Sequence, residues 1–305
     1  MGVAEELEQL VRDVAGRVGP SVVAIGRGAR GTGVVVADGQ VLTNAHNLRD
    51  RSTTVTFADG RADQGTVAGV DVDGDLAVLA VDTGGTPAVE WSDTSVETGA
   101  VVLAASRGRR GLRVTFGLVS GVEAAFRGPR GRRITGSVEH TAPLARGASG
   151  GPLLDRSGRL LGVNTNRLGE GFYLALPADA ELRRRVESLA AGTSVERPTL
   201  GLGLAPAHVA RRLRRSVGLP ERDGLLVRTV AEGGPAANAG LRQGDLLVAA
   251  GDRPLESPDD LYDVLDGLDA GRGLTLTVVR GVEELTVTVA FDDDDDGDGG
   301  GTAEA

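Results

Sequence analysis

The chain has 305 residues, a length that suggests about two domains, and its 40% hydrophobic content permits sizeable cores. Aromatics supply only 3%, so those cores must be built from Val, Leu, Ala and Ile. A net charge of -10 argues against a nucleic-acid partner, which needs a basic face, and the absence of Cys excludes disulfides, thiolate metal sites and thiol nucleophiles.

Residues 1–19 place Val3, Leu7, Leu10, Val11, Val14 and Val18 at helical spacing, which predicts an amphipathic helix. Acids and arginines interrupt that stripe, so it has no signal-peptide core. No run approaches the roughly 18 apolar residues of a membrane span. The chain as written is expected to be cytoplasmic, or extracytoplasmic if a leader has been removed. From Pro20 to Leu176, short β-branched runs alternate with glycines, as in "SVVAIG", "GVVVADG", "TTVTFADG" and "LAVLAV". That grammar predicts a β-sandwich or barrel, and the lack of long helical runs between strands argues against a parallel α/β sheet.

A helix is predicted over 178–190 and a linker over 193–197. Residues 198–291 form a different, small α+β module. In it "GLLVRTV" is a strand, "GPAANAGL" a short helix and "SPDDLYDVLDGL" a helix with Ser257 as N-cap. The end, 292–305, is acidic and glycine-rich and is expected to be a disordered, solvating tail.

Two motifs fail on their context. Gly26 to Gly31 spells G-x-G-x-x-G, but a strand follows where a dinucleotide site needs a helix. "DVDGD" at 71–75 lacks the sixth-position glycine and twelfth-position glutamate of an EF-hand loop. No metal site or cofactor is expected.

"ARGASGGPLLD" (145–155) fits two nucleophile loops. As G-x-S-x-G it matches the elbow of α/β-hydrolases, which requires a helix after Ser149 and a histidine later in the chain. A strand, turn and strand follow instead, and the only later histidine, His208, sits in an arginine-rich helical stretch that reads as surface. The order His, Asp, Ser works. His46 ends the strand "QVLTNAH", and Asp75 abuts "LAVLAV", where burial should exceed that of Asp71 or Asp73. Asp75 would hold the His46 tautomer, His46 would deprotonate Ser149, and the N–H groups of Gly147 and Ser149 would receive the oxyanion. His140 lies too close upstream of Ser149 to be its base and is expected to be an ordinary loop histidine or a substrate contact.

At these residues the chain resembles the HtrA/Deg family of trypsin-like serine proteases with a PDZ domain. "GTGVVV", "VLTNAHNL", "DGDLAVLAV", "FGLVSG", "GASGGPLLD", "LLGVNT" and "GFYLALP" fall in the family's order over 20–180. "TLGLGL" and "GLLVRTVAEGGPAANAGLRQGDLLVAAGDRPL" resemble its PDZ domain. The resemblance implies a chymotrypsin-like double β-barrel over 20–192 followed by a PDZ domain over 198–291. His46, Asp75 and Ser149 fall on its triad positions.

It also implies endopeptidase action on unfolded polypeptides, preference for small aliphatic residues before the cut, and a homotrimer joined through N-terminal contacts. Substrate is expected to pair with Asn164, Thr165, Asn166 and Arg167. Peptide C-termini are expected at Thr199, Leu200, Gly201 and Leu202, with Leu200, Leu202, Leu261 and Leu265 forming an apolar pocket. Ala148 replaces the usual asparagine, and Thr199 the usual tyrosine. Arginines outnumber acids between Arg107 and Arg146, in the segments that correspond to the family's switching loops. Two further expectations follow from those segments: a chaperone-like protein whose site rests inactive, and a preference for acidic substrates.

Overall fold

A computed structural model describes residues 2–128, 133–169, 171–194, 199–268 and 273–291, with 166–169 and 266 described by their backbone only. The predicted tail, all of the 193–197 linker beyond Ser194, and residue 198 therefore lie outside the described residues. The chain divides into two compact units, within residues 1–196 and 197–305.

Among its described residues the first unit holds twelve strands in two closed six-stranded barrels. The first barrel comprises β1 (Val22–Ile25), β2 (Gly31–Ala37), β3 (Gln40–Thr43), β4 (Ser52–Thr56), β5 (Ala62–Asp71) and β6 (Leu76–Ala80), closed in the order β1-β2-β3-β6-β5-β4. The second comprises β7 (Val101–Gly108), β8 (Gly111–Arg127), β9 (Arg133–His140), β10 (Pro152–Leu154), β11 (Leu160–Gly169) and β12 (Phe172–Pro177), closed as β10-β11-β12-β9-β8-β7. Closure gives every strand two paired neighbours.

Alternation along each strand builds the cores, because successive side chains point to opposite faces. Val23 and Ile25 of β1 join Val35, Val41, Val55 and Leu79 inside the first barrel. Val102, Val119, Val138, Leu153, Leu161 and Ala175, one from each strand, fill the second. The opposite faces supply Val22, Val34, Leu42, Val78, Leu103, Leu154 and Leu174 to a third layer that joins the barrels.

Two helices attach to that layer. Helix α1 (Val3–Val18) is the predicted amphipathic segment, but it is no free arm: Val14 and Val18 are buried, and Leu10 and Val11 pack against the same core. Arg107 locks its exit by donating to the carbonyls of Gly19 (2.6 Å) and Val22 (2.5 Å). Helix α2 (Ala180–Ala190) starts two residues later than predicted because Asp179 caps it, accepting from the Leu182 N–H at 2.8 Å. It buries Leu182, Val186 and Leu189, each worth about 1.5–3 kcal/mol.

The second unit contains β13 (Leu202–Ala205), α3 (Ala207–Ser216), β14 (Leu225–Val230), α4 (Pro235–Asn238), β15 (Leu246–Ala250), β16 (Arg253–Pro254), α5 (Pro258–Asp266), β17 (Leu274–Arg280) and β18 (Glu283–Val289). Its sheet runs β13-β14-β15-β17-β18 with β16 beside β15, so β13 is an edge strand. The second α+β module is thus present as expected. No helix among the described residues is long and apolar enough to cross a membrane.

Candidate active site

His46 sits in a single 3-10 turn, Ala45–Asn47, directly after β3. Its Nδ1 lies 2.9 Å from both carboxylate oxygens of Asp75, and its own main-chain N–H donates to Asp75 Oδ1 at 3.2 Å. Asp75 turns the chain into β6 with φ of 53°, a left-handed conformation that Asp tolerates better than most residues. Its main-chain oxygen is held by Asn44 Nδ2 at 2.8 Å, and Thr165 donates its hydroxyl to Oδ2 at 2.6 Å. The expectation that burial singles out Asp75 is corrected: Asp71, Asp73 and Asp75 are 1%, 2% and 1% exposed. Position, not burial, distinguishes them. Asp71 faces away, accepting from the Gly74 N–H at 2.8 Å and from Arg185 at 2.6 Å.

Ser149 stands in the loop before β10, in the same cleft of about 580 Å³ as His46 and Asp75. The loop is tied down on both sides. Its Ser149 carbonyl accepts from the Thr32 N–H (2.9 Å) and from Asn47 Nδ2 (2.9 Å), and the Gly147 carbonyl accepts from the Thr32 hydroxyl (2.8 Å). Behind the serine, the Gly150 N–H donates to the Asn164 carbonyl at 2.7 Å. The Ala148 N–H donates to the Ala145 carbonyl at 3.1 Å, and Gly147 has φ of 84°. A positive φ at the third position only defines a type II turn. Among the described residues, neither the Gly147 N–H nor the Ser149 N–H has an acceptor. Two main-chain donors beside the hydroxyl are therefore left for a ligand. The hydroxyl itself donates to the Thr165 carbonyl at 2.9 Å.

Leu144, Ala145, Phe126 and Tyr173 give the same cleft apolar walls, and among the described residues Asp75 is the only carboxylate that lines it. Along its side runs β11. Strand β10 pairs with β11 as far as Val163 and the serine loop takes both main-chain groups of Asn164, so from residue 165 onward β11 is paired on one side, with β12. Thr165 sits at a bulge, outside the β12 register. Asn166 and Arg167 continue the strand. Asn164 does not belong to this open edge, contrary to expectation. It is fully buried, its N–H and its Nδ2 both donate to the Gly151 carbonyl (2.9 and 3.1 Å), and its carbonyl holds Gly150.

His140 is likewise corrected. It is no loop residue but the fully buried end of β9, with Nε2 3.0 Å from Asn164 Oδ1 and its ring stacked on Tyr173. Burial pushes its pKa down to about 4, against the smaller upward pull of Asn164. His208 is exposed on α3, as expected of a surface residue. Thr32, Asn44 and Asn47, which fasten the site together, were not singled out from sequence. The buried polar residues of "TNAHN" were the available signal.

In the second unit, the Leu200 carbonyl accepts from the Ala236 N–H at 3.1 Å and the Gly201 carbonyl from the Ala231 N–H at 2.8 Å. Gly201 has φ of 70°. The N–H groups of Leu200 and Gly201 have no acceptor among the described residues. Thr199 precedes them, half-buried, and Leu202 opens the free edge strand β13. Leu200, Leu261 and Leu265 are 4%, 3% and 2% exposed, so they form core rather than the walls of an open pocket. Only Leu202 of the expected four offers apolar surface.

The comparisons agree with this fold. Residues 31–163 match the trypsin-like peptidase domain model and residues 198–291 the PDZ domain model. HhoA, a Synechocystis sp. protein named as a serine protease, is 33% identical over 279 residues, covering 85% of this chain and 70% of that one. The chain belongs to the HtrA/Deg family of PDZ-bearing serine proteases. Another relative, the Brucella suis protein named a periplasmic serine endoprotease of DegP-like type, is 32% identical over 86% of this chain. This chain spans about half, 52%, of that relative's length. Among solved structures, the serine endoprotease from Yersinia pestis matches with TM-score 0.59 at 26% identity, covering 92% of this chain and 98% of that one. The HtrA-type protease AlgW with tripeptide matches with TM-score 0.56 at 26% identity, covering 92% and 95%.

Proposed function

We propose that this family member is an endopeptidase of unfolded polypeptides, with Ser149 as nucleophile, His46 as general base and Asp75 as the group that orients it. His46 Nε2 takes the Ser149 proton as Oγ adds to the scissile carbonyl, while Asp75 accepts from Nδ1–H and steadies the imidazolium. The oxyanion accepts from the Gly147 and Ser149 N–H groups, each worth about 3 kcal/mol in the transition state. The imidazolium then protonates the leaving amine. Water, deprotonated by the same nitrogen, hydrolyses the acyl-enzyme and restores Ser149. The observation that carries this reading is the pair of unclaimed N–H donors at Gly147 and Ser149 beside the His46–Asp75 pair.

Substrate would lie extended against Thr165, Asn166 and Arg167, with a small aliphatic side chain between Leu144, Ala145 and Tyr173. A peptide carboxylate would accept from the free N–H groups of Leu200 and Gly201, between Thr199 and Leu202. Its preceding residues would then add to the edge of β13. Seating a C-terminal side chain there requires α5 to yield around Leu261 and Leu265. A homotrimer belongs to the same proposal, and Val3, 84% exposed, leaves the first turns of α1 open to a neighbour. Light scattering on the full chain measures it.

A second reading, a protein whose site rests inactive, is favoured by the Ser149 hydroxyl bonding to Thr165 rather than to His46. A fluorophosphonate probe separates the two. The endopeptidase reading expects labelling of wild type at Ser149, none of Ser149→Ala, and cleavage of an unfolded reporter protein. No labelling of wild type, with or without a PDZ-ligand peptide, refutes it.

A further inference from the structure

Beside the catalytic cleft lies a second one of about 540 Å³, and the two share Ala145, Arg146 and Gly147. Its walls are the 28–30 turn, Arg49, and the hairpin at the β7–β8 junction. Arg30, Arg49, Arg109, Arg110, Arg113 and Arg146 all line it, and among the described residues no Asp or Glu does. None of these six guanidinium groups has a hydrogen-bond or ion-pair partner among the described residues. The seventh arginine of the cleft wall, Arg107, differs: it is buried and bonded to Gly19 and Val22. In a chain of net charge -10, six unpartnered cations around one concavity produce a strong local positive field that the rest of the protein opposes.

We infer that this cleft binds a carboxylate-rich stretch of polypeptide on the leaving-group side of the scissile bond. The inference rests on the proposed cleavage reaction and names its substrate class. Direction follows from position. The acyl side of the substrate lies along Thr165 to Arg167, and the scissile carbonyl meets Gly147 and Ser149. Among the described residues none of β11 and β12 lines the arginine cleft, which shares Ala145, Arg146 and Gly147 of the oxyanion turn. A chain that enters along β11 and passes Gly147 therefore leaves over the arginines. Arginine is suited to the task, because its planar fork takes carboxylates in bidentate fashion and it stays charged at any working pH. The acidic overall charge disfavours nucleic acid as the occupant.

Binding is measured on full-length Ser149→Ala, so that it reads independently of turnover. Two fluorescein-labelled peptides share an aliphatic residue before the scissile bond and carry either aspartates or asparagines after it. The acidic peptide is expected to bind about tenfold tighter at low salt, with the advantage shrinking as salt rises. Adding Arg109→Ser, Arg110→Ser and Arg113→Ser should remove the advantage and leave the neutral peptide unchanged. Arg110→Glu alone is the milder second variant. Equal binding of the two peptides, or an advantage that survives both variants, overturns the inference. Tighter binding of a single-stranded RNA oligonucleotide through the same arginines overturns the choice of polypeptide. Loss of probe labelling in wild type would instead refute the cleavage reaction, and the two failures are thus distinct.

Discussion

The Ser149 hydroxyl donates to the main-chain oxygen of Thr165 at 2.9 Å, while the Thr165 hydroxyl donates to Asp75 Oδ2 at 2.6 Å. One residue of β11 thus touches the proposed nucleophile with its backbone and the proposed orienting carboxylate with its side chain. Attack requires the serine proton to leave the Thr165 oxygen for His46 Nε2. An aligned hydrogen bond at that point is often completed only when substrate arrives.

Thr165→Val should therefore lower kcat. The lost bond goes to a charged group and is worth about 1.5–3 kcal/mol, or roughly ten- to hundredfold in rate. Thr165→Ser keeps the donor and should stay near wild type. If Thr165 acts only through its main chain on substrate, valine will change neither kcat nor KM. Steady-state kinetics on an unfolded reporter peptide decides this.

The turn at Gly147 is open to a similar test. An alanine there would hold φ of 84°, and its Cβ would come 2.9 Å from the Ala29 carbonyl oxygen. The turn would shift to relieve both, and the Gly147 N–H would move from the oxyanion position. Gly147→Ala should cost about 10² to 10³ in kcat, with a folding penalty of only about 1–2 kcal/mol. Gly150→Ala should be worse for folding, because its Cβ would meet the Thr32 carbonyl at 2.2 Å and the Thr43 hydroxyl at 2.5 Å. Thermal denaturation and kcat together separate the two effects.

The glycines around Ser149 are why the candidate site was legible in the chain at all. A loop that needs positive φ at Gly147 and Gly150 writes that need into the sequence, and strand periodicity placed His46 and Asp75 at strand ends. Short β-branched runs between glycines likewise marked a sandwich or barrel, while the division into two barrels came from the family resemblance. What sequence could not show were contacts between distant positions. The Thr165–Asp75 bond joins residues 90 apart, and nothing local to "VNTN" distinguishes a hydroxyl aimed at a carboxylate from a main chain aimed at substrate. Asn164 was misjudged for the same reason: its partners lie in the serine loop. The three aspartates of "DVDGD" could not be ranked by nearness to an apolar strand, because the surrounding turn buries them all. The polar strand-end His140 gave no local sign of burial.

Acid sensitivity should follow from His140. Above pH 6.5 it is neutral folded and unfolded and contributes no pH dependence. Between 6.5 and about 4 the unfolded chain takes up a proton that the folded chain refuses, so stability falls as pH falls. Below about 4 this contribution levels off at a loss of about 3 kcal/mol. Asn164 and Tyr173 are the groups facing the ring. Denaturant titrations of wild type and His140→Gln at pH 7 and pH 5 should give a steeper loss for wild type. Equal slopes would mean that His140 takes its proton without unfolding cost.

Arg185 should matter for the turn that carries Asp75. Its guanidinium, 31% exposed, meets Asp71 at 2.6 Å, and the Asp71 carboxylate also receives the Gly74 N–H at 2.8 Å. That carboxylate thus ties helix α2 to Gly74, the residue before Asp75. Arg185→Met leaves a buried charge without its cation, which typically costs 3–5 kcal/mol. The partial exposure of Arg185 puts the expected loss nearer 2–3 kcal/mol, since water screens part of the pair. Asp71→Asn keeps an acceptor for Gly74 but loses the charge, so it should cost less. The double variant should cost less than the sum of the two. Because the turn sets the Asp75 geometry, kcat should fall in Arg185→Met while KM changes little. A double-mutant cycle on stability, read beside kcat and KM, tests both parts: additive losses would dissolve the pairing, and an unchanged kcat would separate the turn from catalysis.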